Sequence, residues 1–412
     1  MIISKKYAFL LVNFVMMTGI MFSVTDSSLA PYGTKFKYIF ILYCLVDILS
    51  RRERPCSRNL ACVFSLLVLY VLAWGFVFKN PVVAAQIADH RKTMLIYLAM
   101  LIPCALEVIH YRCVEEYTLS SGVSLILVLL IQVGSHRNEM IFNPIFAVRS
   151  FLAHDLVRST FGFLDTNFVG NLCFLIICIL FMVYLLHWAN PLFHSRIRIL
   201  VVLTGAIIFW IALCTSTRTA TICLLAFVGS ATLIKGSENL YFTPASRKLL
   251  VRYAAVGILM LLILCYVTGL WDYIWVRSNR GLNVSANAHW VPVIGNVWTG
   301  MGFVENEVFI TNAANNWISA FGVATSSLDM NYLYLYCTTG ILGCAVMALI
   351  LLLLGISLYK NRGRKFGPYY LALFVVILFY ACMETVLFTY RFWAMMIPYV
   401  ILFYGANKEC SQ

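Results

Sequence analysis

Five arginines are the residues of this sequence best suited to chemistry. Each lies at the end of an apolar stretch, and arginine is used every time in place of lysine: Arg158, Arg218, Arg277, Arg280 and Arg391. A charge this close to hydrocarbon is costly unless it is paired or faces a polar cavity. A guanidinium binds phosphate oxygens through two parallel hydrogen bonds, which an ammonium cannot do. The set predicts a binding site for a phosphate-bearing anion; the alternative is that each arginine is a topological flanking charge.

Acidic candidates for a general base are fewer. Asp329 comes just before the apolar stretch that opens at Asn331. It could accept a proton from a substrate hydroxyl, or act only as a favourable charge at a helix N-terminus. Glu384 is spaced seven residues from Arg391, which suits a structural ion pair on one helix face at least as well as catalysis. His289 is a possible proton carrier by residue type.

Residues 271–329 form the longest connection between apolar stretches and contain five of the nine tryptophans. A loop of this length in a compact chain is usually functional or disordered. Its many aromatic and few charged residues argue against disorder. The pattern predicts a folded lid on the membrane surface, with tryptophans that stack on sugar rings or anchor the loop at the interface.

The composition defines the class of protein. Of 412 residues, 62% are hydrophobic and 11% charged, with a mean hydropathy of +0.87, whereas a soluble domain is about half apolar and about a quarter charged. The apolar stretches are too continuous for a β-barrel. The sequence therefore predicts an all-α polytopic membrane protein, one integral membrane domain over residues 1–412. The fourteen cysteines lie mostly in apolar segments as small hydrophobes, and neither a metal site nor a cofactor is predicted.

Hydropathy and charge predict the topology. We expect about twelve spans, at residues 7–24, 36–50, 59–77, 93–109, 119–134, 167–187, 198–215, 219–234, 250–270, 330–358, 368–388 and 392–407. The net charge of +13 lies mainly in short connections on one side. It therefore reflects cytoplasmic loops and cytoplasmic termini, with no nucleic-acid partner. The loops 135–166, with an interfacial helix, and 271–329 would face outward, into the periplasm of a bacterium. No internal repeat or transporter-like pair of interrupted spans is evident.

Four runs of residues resemble the bacterial O-antigen polymerase and O-antigen ligase superfamily. They are the Phe-Gly-Phe run at 158–167, the Thr-Ser-Thr-Arg turn ending at Arg218, the run from Trp290 to Gly300-Met-Gly-Phe303, and Ser327-Leu-Asp-Met-Asn-Tyr-Leu with Thr338-Thr-Gly-Ile-Leu-Gly343. The resemblance implies a twelve-span inner-membrane protein with its large periplasmic loop between spans nine and ten. It also implies glycosyl transfer from an undecaprenyl-pyrophosphate-linked oligosaccharide to a second lipid-linked repeat unit, without metal or nucleotide.

The resemblance also implies residue roles. Ligases carry histidine where this chain has Asp329, which favours the polymerase branch. An arginine that is common before Trp290 is replaced by Asn287-Ala288-His289, which leaves Arg277 or Arg280 to supply that phosphate contact. We expect Arg218 and Asp329 to be catalytic. The pyrophosphate-binding set is Arg277, Arg280, Arg158 and Arg391, and the sugar-binding set is Trp290, Trp298, His289 and Asn331.

Expected partners are the lipid-linked oligosaccharide, membrane lipid and a chain-length regulator protein. Two alternatives remain open at this point. One is an O-antigen ligase that transfers glycan to lipid A–core. The other is a flippase or transporter of lipid-linked sugars, which would be expected to place charges along a transmembrane path rather than at the outer helix ends.

Overall fold

The computed structural model describes residues 4–50, 58–78, 84–143, 147, 159–163, 166–187, 195–215, 217–239, 296–300, 302, 331–360 and 367–381. This part of the chain is mostly helical, and its one β-type pairing is an isolated bridge between Thr25 and Phe163. The longer helices are α1 Lys5–Phe22, α2 Ala30–Leu49, α3 Arg58–Leu72, α4 Ala84–Tyr111, α5 Val114–Ser135, α6 Thr166–His187, α7 Ser195–Cys214, α8 Arg218–Asn239, α9 Asn331–Lys360 and α10 Gly367–Tyr380. The all-helical prediction is confirmed for these residues.

Several helices are long and apolar enough to cross a membrane. Within the described ranges there are five such segments: Lys5–Phe22, Met94–Tyr111, Glu116–Ser135, Ile197–Cys214 and Tyr334–Lys360. Shorter apolar helices are Ala61–Val77, Phe168–Tyr184, Ala220–Ala231 and Tyr369–Tyr380. Helices of this length and composition are those of an integral membrane protein.

The described helices form a closed circuit of neighbours. In order around the circuit, neighbouring helices are α1, α5, α6, α8, α10, α9, α3, α4 and α2, and α2 returns to α1. Helix α7 packs against α6. Buried aromatic side chains fill the contacts: the Phe9 ring lies 6.0 Å from the rings of both Tyr111 and Tyr117. Apolar side chains such as Leu42, Leu200 and Leu203 remain exposed on outward faces, where lipid would cover them.

The chain alternates between two ends of this bundle. At one, which we name the Lys5 end, the Lys5 ammonium lies 3.4 Å from the Asp47 carboxylate, which also accepts a 2.6 Å hydrogen bond from the Tyr111 hydroxyl. At the other, the Asp26 end, the connection after α1 meets the residues that precede α6: the Asp26 N–H donates to the Gly162 carbonyl at 2.8 Å. This agrees with the alternation expected from hydropathy.

The structure corrects two details of the sequence prediction. Helix α2 runs over Ala30–Leu49, longer than the stretch 36–50, and α4 begins at Ala84, well before residue 93. The predicted span 330–358 corresponds to α9, which is interrupted at Gly340, whose φ of 63° and ψ of −166° are not helical. The predicted spans 250–270 and 392–407 and most of the predicted interfacial helix lie outside the described residues.

The cysteines behave as the sequence suggested. None of the described cysteines forms a disulfide, and of these all but Cys62 and Cys344 are buried. They act as small apolar side chains in the helix contacts.

Candidate functional site

Two contacts at the Asp26 end bring together the runs that the sequence singled out. The first, the turn junction, comprises Glu139, residues 159–163, the turn 215–217 and the start of α6. The second, the loop junction, comprises residues 296–300 and 302, the end of α3 and the interruption of α9. Each is built from segments far apart in the sequence, so each depends on tertiary packing.

The turn junction holds the short connection between α7 and α8. Helix α7 ends at Cys214 and α8 begins at Arg218, as the sequence predicted for a turn barely long enough to join two spans. The buried Thr217 side chain lies directly on Gly170 of α6, where even a methyl group would overlap it. The Ser159 N–H donates to the Cys214 carbonyl at 3.3 Å. The Phe-Gly-Phe run therefore lies beside the turn that leads to Arg218.

Glu139 fixes the conformation of residues 159–163. One oxygen of its carboxylate accepts hydrogen bonds from the N–H groups of Thr160 and Phe161, both at 2.8 Å. The Ser159 hydroxyl donates to the Glu139 carbonyl at 2.6 Å. Phe161 and Gly162 have φ values of 49° and 72°, and left-handed backbone needs such support, above all at the fully buried Phe161. Charge-assisted bonds to two successive N–H groups supply it.

A histidine–aspartate pair adjoins this segment. His136 Nε2 lies 2.9 Å from the Asp26 carboxylate, and Nδ1 lies 3.1 Å from the Gln132 carbonyl. Desolvation alone would lower the pKa of His136, but the hydrogen bonds to Gln132 and Asp26 outweigh it, so this pKa is raised above the ordinary histidine value. Gly162 packs against the imidazole so closely that a Cβ there would overlap the ring.

The loop junction is a contact between two backbones. Where α9 is interrupted, the N–H groups of Ile341 and Leu342 donate to the carbonyls of Val297 and Trp298, both at 3.0 Å, and the Gly302 N–H donates to the Thr338 carbonyl at 2.8 Å. The contact replaces helix hydrogen bonds that the interruption removes. Gly340 lies nine residues beyond Asn331, about 13 Å along the helix. This part of the predicted surface lid thus reaches into the bundle.

Glycine is required on both sides of the loop junction. A Cβ on Gly300 would lie 2.6 Å from the Thr338 carbonyl, and one on Gly340 would lie 2.5 Å from the Trp298 carbonyl. Both glycines have positive φ, 65° and 63°, which residues with a side chain adopt only with strain. The junction therefore unites the Gly-Met-Gly run with the Thr-Thr-Gly run.

A π-helical turn at the end of α3, Ala73–Val77, supports the loop junction. The Trp74 indole N–H donates to the Thr299 carbonyl at 2.8 Å. The Tyr70 and Thr339 hydroxyls approach to 3.5 Å just below. In contrast, Trp298 is 61% exposed, which leaves its ring accessible, as a sugar-stacking role requires.

The predicted site residues divide into two groups. Arg218 begins α8, Asn331 begins α9 and Trp298 lies in the loop junction. The other predicted residues lie outside the described part of the chain: Arg158, Arg277, Arg280, Arg391, Asp329, Trp290 and His289. Chain connectivity still places Arg158 next to Ser159 of the turn junction, and Asp329 two residues before α9.

Three polar residues at the Asp26 end escaped sequence reasoning: Asp26, His136 and Glu139. The sequence indicated them only weakly, because each lies within a few residues of the end of an apolar stretch. In the described ranges there is no group of three or more His, Cys, Asp or Glu residues that could hold a metal ion.

In comparisons with known proteins, no family model matches this chain and no curated protein matches it significantly. The residue pattern and the geometry of the two junctions therefore carry the functional argument.

Proposed function

We propose that this chain is a polymerase of a bacterial surface polysaccharide of the O-antigen type, which joins undecaprenyl-pyrophosphate-linked repeat units on the periplasmic face of the inner membrane. The supporting observation is the pairing of the four runs. Ser159 of the Phe-Gly-Phe run bonds to Cys214, directly before the Thr-Ser-Thr-Arg turn, and Gly302 of the Gly-Met-Gly run bonds to Thr338 of the Thr-Thr-Gly run. Both pairs lie toward the Asp26 end, as a site assembled from these runs requires.

In the proposed reaction, a hydroxyl oxygen of the acceptor sugar attacks the anomeric carbon of the donor glycan. The bond from that carbon to the pyrophosphate oxygen breaks, and Asp329 accepts the hydroxyl proton. Negative charge grows on the departing pyrophosphate. Arg218 is suited to stabilise it, because a guanidinium at the first position of α8 adds its charge to the positive end of the helix dipole.

The remaining predicted arginines support the same step. Arg158 precedes Ser159 in the sequence, and the Ser159 N–H bonds to the Cys214 carbonyl at the end of α7, so Arg158 is proposed to join Arg218 at the leaving group. Arg277, Arg280 and Arg391 would complete the anion site, and Trp290, Trp298, His289 and Asn331 would contact sugars. Fixed cations that bind the leaving group more tightly as its charge develops raise the rate of transfer.

The interrupted helix α9 bears on the flippase alternative. In transporters, such interruptions expose helix ends that bind substrate or ions. Here the carbonyls of Val297 and Trp298 already accept from the freed N–H groups of Ile341 and Leu342. Because these N–H groups are bonded within the protein, they are not exposed to a substrate or ion. This favours the enzyme over the transporter. Asp329, in place of the histidine of ligases, favours the polymerase over the ligase.

Lipopolysaccharide from a strain that lacks this gene tests the proposal. A polymerase mutant should produce lipid A–core with a single repeat unit, because the separate ligase still uses unpolymerised donor. Gel electrophoresis shows this as one band above core. Bare core, with polymer accumulated on undecaprenyl pyrophosphate, would instead identify a ligase.

Complementation of that strain with Arg218→Lys tests the site. Loss of the guanidinium fork should reduce polymer formation by about 10²–10³-fold, close to the effect of Arg218→Ala. Arg198→Lys is the matched control, because Arg198 lies in the first turn of α7 at the Lys5 end, and it should restore full chain length. Full chain length from Arg218→Lys at normal protein level would reduce Arg218 to a topological charge.

A further inference from the structure

Arg91 is a half-buried cation that lies between the predicted spans 59–77 and 93–109. It lies seven residues beyond Ala84 in α4, about 10 Å along the helix. Its Cζ lies 4.3 Å from the centre of the Phe76 ring, and Nη1 donates to the Gly75 carbonyl at 3.3 Å. The aliphatic stem rests on Gly75, where a Cβ would lie 3.1 Å from Arg91 Cγ. The side chain is half-buried and held in place.

Arg91 has few charge-compensating contacts in the described part of the chain. Among the described residues no carboxylate forms an ion pair with it. One carbonyl and one aromatic face compensate only part of the cost of a half-buried cation. A guanidinium has five N–H donors, and the Gly75 carbonyl accepts from one of them. In the described ranges no second acceptor meets the fork, and its other donors suit an anion.

Arg91 adjoins the loop junction. Gly75, which it contacts, follows Trp74, whose indole N–H holds the Thr299 carbonyl of that junction. The position differs from that of Arg218. Helix α4 packs against α2, α3 and α5, whereas α8 packs against α6 and α10. The two arginines therefore belong to different parts of the helix circuit.

We propose that Arg91 binds a second phosphate group beside the loop junction, that of the pyrophosphate of the acceptor lipid. The inference rests on the proposed function, because joining two lipid-linked units requires both pyrophosphates to be held at once. Arg218 contacts the donor, whose pyrophosphate leaves. Arg91 contacts the acceptor, whose pyrophosphate remains intact and only needs to be positioned.

The test is a binding measurement on the full chain in phosphatidylcholine nanodiscs, with farnesyl pyrophosphate as the probe. Arg91→Lys keeps the positive charge and one donor for Gly75, but has no second nitrogen to reach an anion. Two binding events are expected, one at Arg218 and one at Arg91; Arg91→Lys should weaken the second about tenfold or more and leave the first unchanged. Lys92→Ala is the matched control: it removes one positive charge from the neighbouring, exposed position of α4 and should change binding less than twofold.

A second variant guards against a folding defect. Arg91→Gln retains a donor near Gly75 and removes the charge. It should therefore also lose the Arg91-dependent binding event, while the melting temperature without probe stays near that of the wild type. Binding by both Arg91 variants within twofold of the wild type would overturn the proposal. Nanodiscs with phosphatidylglycerol test the other source of phosphate: if that lipid displaces the probe in an Arg91-dependent way, the ligand is a headgroup and the assignment to the acceptor fails.

Cell assays separate this inference from the proposed function. If the gene deletion leaves polymer unchanged but the probe still requires Arg91, the proposed function fails and the binding site stands. If Arg218→Lys abolishes polymer while Arg91→Lys and Lys92→Ala both give wild-type chain length, the polymerase stands and the role of Arg91 fails. If Arg91→Lys gives short chains and Lys92→Ala gives chains of wild-type length, the polymerase function and the role of Arg91 are both supported.

Discussion

The two ends of the bundle use their carboxylates differently. At the Lys5 end, Asp47 pairs with Lys5 and Glu116 pairs with Lys6, side chain to side chain, between regular helices. Toward the Asp26 end, Glu139 binds backbone N–H groups and Asp26 binds an imidazole. Of the six described residues with positive φ, only Arg112 lies at the Lys5 end. The other five, Phe161, Gly162, Gly300, Gly302 and Gly340, lie in the two junctions.

This difference indicates where the chain holds an irregular backbone. Ion pairs between helix ends stabilise lateral packing but require no special conformation. Left-handed backbone costs about 1–3 kcal/mol at a residue with a side chain, such as Phe161, and persists there only where the surroundings enforce it. The four glycines adopt it without this cost, but a substituted residue would not. Such backbone often accompanies functional sites, which agrees with placing the proposed chemistry in the half of the bundle that contains the turn and loop junctions.

The largest effect should come from breaking the loop junction. Gly340→Ala places a Cβ 2.5 Å from the Trp298 carbonyl, in a conformation with φ of 63° and ψ of −166°. Because the obstacle is backbone, it cannot rotate away. We expect the free energy of unfolding to fall by about 3 kcal/mol or more, measured by thermal unfolding in detergent, with loss of polymer in cells.

Gly205→Ala is the control for this prediction. A Cβ at Gly205 of α7 meets nothing within 4 Å, so alanine should be neutral or stabilise the helix by about 1 kcal/mol. Equal behaviour of the two variants would mean that the backbone of α9 is not in contact with that of residues 296–300 and 302.

An intermediate effect should separate the two ends directly. Glu139→Ala leaves two backbone N–H groups of the turn junction without their acceptor, which should cost about 1–3 kcal/mol. Glu116→Ala at the Lys5 end removes only an ion pair whose carboxylate is 43% exposed, worth about 0–1 kcal/mol. Thermal unfolding of both variants measures the difference. A larger loss for Glu116→Ala would reverse the comparison.

The sequence predicted what depends on local pattern. Hydropathy indicated the helical class, and the spacing around Arg218 indicated a short turn, because both follow from the length of apolar stretches. The interruption at Gly340 was not predictable, because Thr-Thr-Gly-Ile-Leu is compatible with a continuous helix. The helix is broken there by its contact with residues 297, 298 and 302, which are distant in the sequence. Arg91 was missed because it lies two residues before the predicted span 93–109, and its sequence position alone does not show that it packs on Gly75 and Phe76. The pairing of Asp26 with His136 joins residues 110 positions apart, and no local pattern encodes it.

The smallest effect should be a dependence on pH confined to the Asp26 end. The pKa of His136 is raised in the folded protein by its hydrogen bonds, against the effect of desolvation. Stability from this group is therefore fully present below the unfolded pKa of about 6.5 and is lost as the pH rises through the higher folded value. The melting-temperature difference between the wild type and His136→Gln should be largest near pH 6 and shrink toward pH 9. Because both side chains are partly exposed, this difference should correspond to about 1 kcal/mol or less.

Asp26→Asn should shrink the melting-temperature difference between the wild type and His136→Gln, whereas Asp47→Asn at the Lys5 end should leave its pH dependence unchanged. A difference that grows with pH would show that His136 is neutral in the folded protein and that the pair with Asp26 is not ionic.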